Sequence, residues 1–76
     1  MTTDQLRQAL KELHGDREAQ FAFTEVYGIP NHGVIAHLSV RNAMLVPDEA
    51  DHLVKVTDGK AIYIIDAERV AWIRIG

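Results

Sequence analysis

The sequence predicts an α+β fold that is mainly β: one amino-terminal helix followed by a five-stranded, strongly bent antiparallel sheet. Three observations predict it. A single stretch, near the start, has helical apolar periodicity. The rest is short apolar runs at close spacing, cut by Gly, Pro and Asp. No second helix is available for a βαβ crossover, so the strands must pair antiparallel, as a small barrel.

The helix is expected over residues 3–14. Thr2 and Gln5 have capping-box spacing, so each side chain can satisfy a backbone donor of the other. Leu6, Ala9, Leu10 and Leu13 form one apolar stripe. Asp4 in the first turn and His14 in the last suit the helix dipole, and Gly15 is the expected carboxy-terminal cap. Asp16–Gln20 reads as a polar connector. Strands are expected at 21–27, 33–40, 43–56 with an interruption at 47–51, 60–66 and 70–75. The glycines and Pro30 of Gly28–Gly33 mark one turn. Thr57-Asp58-Gly59-Lys60 marks a hairpin, and Arg41-Asn42 a break. The acidic run Pro47–Asp51 interrupts pairing.

The most apolar stretch is Ala61–Gly76. Ala61–Ile65 has no polar residue on either face, so it is expected to be buried on both sides. Val70, Trp72 and Arg74 are assigned to one face of the last strand, and Ala71, Ile73 and Ile75 to the other. Asp66–Arg69 between the runs fits a hairpin loop or a single 3₁₀ corner. The expected core is Leu6, Leu10, Leu13, Val26, Ile35, Leu38, Leu45, Ile62, Ile64, Val70 and Ile73.

Seventy-six residues make one domain with a thin core, and there is no cysteine to staple it. Self-association is then the simplest added source of stability. The start, MTTDQLRQAL, lacks the basic and long apolar regions of a signal peptide, and no run approaches the roughly 20 apolar residues that span a bilayer. A cytoplasmic, non-membrane protein is expected. The formal charge of -3 argues against a broad electropositive surface.

Few residues point to chemistry. His14, His32, His37 and His52 contain no metal-binding spacing, and no metal or other cofactor is expected. Asp48, Glu49 and Asp51 lack the glycine and terminal Glu of a calcium loop and read as a solvated loop. Phe21, Phe23 and Tyr27 could stack bases, but core packing explains them better. No nucleophile elbow or phosphate-cradling loop is present, so no catalytic residue is assigned and no enzymatic activity is expected.

An amino-terminal helix followed by five bent strands resembles the Sm-like family (LSm, Hfq-like), with its SH3-like small barrel. Gly28 and Gly33 fall on the glycines of the first Sm motif, Ile35 and Leu38 on its apolar positions, and Met44, Leu45 and Val46 on the strand that follows. Ile64, Ile65, Asp66, Ala67, Glu68, Arg69, Val70, Ala71, Trp72 and Ile73 lie on the second motif without a gap. Ser39 stands where the family has Asp, Asn42 comes one place early, and Asp66-Ala67 replaces Arg-Gly.

The resemblance implies a cyclic homo-oligomer of about five to seven subunits, in which a terminal strand pairs with the neighbour's penultimate strand. Ile62, Ile64, Val70 and Trp72 are the expected interface residues. It also implies weak binding of single-stranded RNA, at Arg41 and Asn42 with Arg69 as a third candidate. The alternative is a structural or protein-interaction module that keeps the scaffold without RNA.

Overall fold

The computed structural model describes residues 1–24 and 36–76. Helix α1 spans Thr3–Leu10, followed by β1 (His14–Phe23), β2 (Ala36–Leu45), β3 (Val54–Thr57), β4 (Ile62–Ile65), a 3₁₀ turn (Ala67–Arg69) and β5 (Val70–Ile75). All strand pairs are antiparallel, in the order β4-β3-β2-β1-β5. The domain is α+β and mainly β, as expected. The sheet is not closed: β4 and β5 are its two edges. No helix among the described residues is long and apolar enough to cross a membrane.

The capping box at Thr2 and Gln5 forms in both directions, at 2.9 and 3.0 Å. The helix is shorter than expected. From Lys11 onward the backbone makes i→i−3 bonds, ending with Leu13 N–H to Leu10 C=O at 3.0 Å. This tightened tail still buries Leu13 beside Leu6 and Leu10. Gly15, at φ +87°, serves an irregularity at the start of β1 and does not cap the helix. His14 accordingly belongs to β1, and the expected connector Asp16–Gln20 is strand. Its polar residues masked that strand, because only Ala19 and Phe21 mark the inward face.

The expected break at Arg41-Asn42 is a bulge inside a continuous β2. Arg17 pairs with Ala43 and Ala19 with Val40, so β2 holds one extra residue there. Asn42 takes up the irregularity with φ 50°, a left-handed conformation that asparagine tolerates better than most residues. Residues 43–45 therefore belong to β2, not to a third strand. A second bulge corrects the faces of β5. Phe23 pairs with Val70 but Ala22 with Trp72, so Ala71 is the extra residue. Val70 then turns into the core while Trp72 and Arg74 face outward.

Ile65 and Val70 are joined by one 3₁₀ turn, not a hairpin loop. A flat five-stranded sheet would hold its edges about 19 Å apart. This connector, rising about 2 Å per 3₁₀ residue, reaches only about 13 Å. The sheet must curl to bring the edges within its reach, and the bulges supply the bend.

The core comprises Leu6, Leu10, Leu13, Ala19, Phe21, Val40, Ala43, Val54, Val56, Ile65, Ala67 and Val70. Leu38, Leu45 and Ile73 pack against it partly buried. Phe21 stacks on Phe23 with ring centroids 6.2 Å apart, so these aromatics are core and flank. Ile62 and Ile64 contradict the expectation: each is 62% exposed. They lie on the outer face of the edge strand β4, which no described element covers. Val26, Tyr27, Gly28, His32, Gly33 and Ile35 lie outside the described residues.

Candidate functional site

The residues singled out by sequence fall in three places. Arg41 and Asn42 are exposed at the β2 bulge, opposite the Arg17–Ala19 segment. Arg69 lies on the 3₁₀ turn, where its Nε is 3.2 Å from Asp66 Oδ2. Its carbonyl accepts from the Thr24 N–H at 2.7 Å, which anchors the turn to the far end of β1. Six residues of β1 separate those two ends, about 20 Å of strand. Arg69 and the Arg41–Asn42 bulge are thus not gathered into one site within a chain.

The interface candidates also separate. Ile62 and Ile64 stand exposed on β4, and half-exposed Leu53 adds to the apolar surface of that end. Ile64 and Leu53 help to line a cleft of about 330 Å³ with Ile65, Ala67, Thr3 and Asp66. Val70 is buried in its own chain. Trp72 is 45% exposed on β5.

The acidic loop 46–53 is exposed, as expected, and its carboxylates also pair with cations. Lys55 Nζ donates to Glu49 Oε1 and Asp51 Oδ2, both at 2.7 Å. The carboxylate partners hold the ammonium above its usual pKa, Asp51 first and Glu49 next. Asp51 is held below the usual carboxylate range by that same ammonium, then by the Leu53 N–H. Arg7 Nη2 reaches from α1 to the His52 and Leu53 carbonyls and to Asp48, each at 3.3 Å. His52 closes the loop at φ 57°. Asp58 organises the β3–β4 turn, accepting from the Lys60 and Ala61 N–H groups at 2.8 Å, and these donors lower its pKa, Ala61 first. No group of three or more His, Asp or Glu side chains among the described residues is arranged to hold a metal ion.

Sequence reading missed the outward face of β5-β1-β2. Register places Trp72, Ala22 and His37 in one row across it and Arg74, Gln20 and Ser39 in the next. Trp72 and His37 are two strands apart, about 10 Å. Their ring centroids are nevertheless 5.9 Å apart, edge to face. Both rings lean inward over Ala22, whose methyl cannot hold them apart and which they help to bury. Alternation at 37, 39 and 41 and at 72 and 74 was the available signal. No family model, no curated protein and no solved structure matches this chain.

Proposed function

We propose that this chain is an Sm-like ring-forming module in which the β4 edge of one copy pairs with the β5 edge of the next. The observation that carries this reading is the pair of uncovered edges. Both strands are β-branched and aromatic, IYII and VAWIRI, with Ile62 and Ile64 exposed beside them. Unpaired apolar edges invite uncontrolled association, and a heterologous contact that closes removes them all. The helix, the strand number and the 3₁₀ corner between edge strands support the Sm-like reading of the motifs. In the ring, the curled sheet of each copy continues into its neighbour. Such a module works as a scaffold that repeats one surface around an axis.

A second reading adds weak binding of single-stranded RNA. Arg41, exposed beside left-handed Asn42, supports it, because its guanidinium has no ion-pair partner among the described residues. A ring would multiply that small site by avidity. Sedimentation of the chain, with and without short oligo(U), tests both readings. A ring that sediments with oligo(U) at low salt supports both. A ring without it leaves the scaffold reading alone, and a monomer removes the ring.

A further inference from the structure

We infer that the outward face of β5-β1-β2 is a single-stranded nucleic-acid platform, with a base stacked on the Trp72–His37 pair and phosphates held by Arg74 and Arg41. The inference rests on the RNA reading above and moves its centre from the β2 bulge to the open sheet face. It does not require the ring. Because Trp72 leans inward over Ala22, the β5 backbone edge is left for a neighbouring strand while the ring face stays accessible.

Three features of this face fit such a ligand. First, Trp72 and His37 are both exposed and touch edge to face, giving an aromatic surface wider than either ring. Stacking on such surfaces tolerates any base. Second, Arg74 lies one row along from Trp72, and Arg41 lies two residues beyond Ser39 on β2. Rows of one face are about 7 Å apart, so base-sized and phosphate-sized contacts stand side by side. Third, among the described residues the two arginines of this face are left without a carboxylate. Arg7, Lys55 and Arg69 are committed to carboxylates on the β3–β4 side. Arg41 and Arg74 have no ion pair or hydrogen bond through their side chains among the described residues, although the chain carries a net charge of -3. β1 carries exposed Asp16 in its irregular first residues and, two residues on, half-buried Glu18. It accepts from Gln20 Nε2 at 3.1 Å and should turn phosphate away from its end of the face.

The chain holds a single tryptophan, so its emission reports on this face alone. Labelled oligo(U) and oligo(A) are titrated into the full chain, reading label anisotropy and tryptophan emission together. The expected result is saturable binding that quenches Trp72, with a log K against log salt slope of about −1.4 for two phosphate contacts. Arg74→Gln should reduce that slope by about half, and Trp72→Leu should weaken binding, read by anisotropy, about tenfold. Circular dichroism checks that both exposed-site variants stay folded. Binding with unchanged tryptophan emission and full affinity in Arg74→Gln would overturn this site while sparing the RNA reading. Absence of any anisotropy change at low salt would overturn both. Equal quenching by poly-glutamate would overturn the inference in favour of an acidic polypeptide.

Discussion

Ile64→Lys separates folding of one chain from association of several. Ile64 is 62% exposed on the outer face of β4, so a lysine there finds solvent in the isolated domain. Exposed substitutions of this kind change stability by about 0.5 kcal/mol or less. In the proposed ring, the same side chain would be covered by the neighbour's β5. Covering a fully exposed isoleucine is worth about 1.5–3 kcal/mol, so the remaining exposure of Ile64 is worth about 1–2 kcal/mol per interface. Placing an ammonium in that seam adds a desolvation cost, moderated by the reach of the lysine stem. Every interface of the ring carries the change, so about five to seven copies lose about 5–14 kcal/mol together. Tenfold in affinity corresponds to about 1.4 kcal/mol, so each interface of the proposed ring weakens roughly 5- to 30-fold and the assembly should shift toward smaller species. Sedimentation velocity reads the association and circular dichroism the fold. The expected result is a small, β-rich species. An assembly of unchanged size and strength would refute the edge-pairing argument, and an unfolded chain would refute the placement of Ile64 outside the core.

Other perturbations test other links. Asn42→Gly should keep the fold, whereas Asn42→Val should destabilise it by about 1–2 kcal/mol in urea melts, because the bulge needs a left-handed residue. Phe21→Ala removes the largest fully buried side chain among the described residues and should cost about 3–5 kcal/mol, a large share of the roughly 4–11 kcal/mol expected for this length. Asp51 and Asp58 have lowered pKa values, so their contributions are complete above the usual carboxylate pKa and lost as pH falls through the lowered values. Lys55 is raised, so its contribution is complete below its usual pKa and lost as pH rises past it. Thermal midpoints should therefore not respond to these three groups between about pH 5 and 9, and should fall outside that window.

Elements with strong local chemistry were legible in the sequence. The capping box, the Thr57–Lys60 turn and the limits of β5 depend on neighbours within a few residues. What escaped depends on partners far along the chain. The His14–Gln20 strand looks polar because the sheet buries only its Ala19 side there. Arg41-Asn42 reads as a turn because a bulge and a turn use the same residue types. Val70 and Trp72 are two apart, a spacing that puts them on one face of a regular strand. One extra residue, visible only in the pairing with β1, sends them to opposite sides. Ile62 and Ile64 looked like core because their β-branched run has the composition of a buried strand, whereas β4 is an edge. The arginines of the candidate site were visible, but which of them are committed to carboxylates is a tertiary fact. Arg41 and Arg69 looked like parts of one site only while the length of β1 between them was unknown.

Two apolar edges that pair between copies should close into a ring. Light scattering of the unmodified chain over a wide range of micromolar concentrations tests it most directly. One concentration-independent mass of about five to seven times 8.5 kDa is expected, because a closed ring has no edge left to extend. A stable 8.5 kDa monomer, or a mass that grows steadily with concentration, would contradict it.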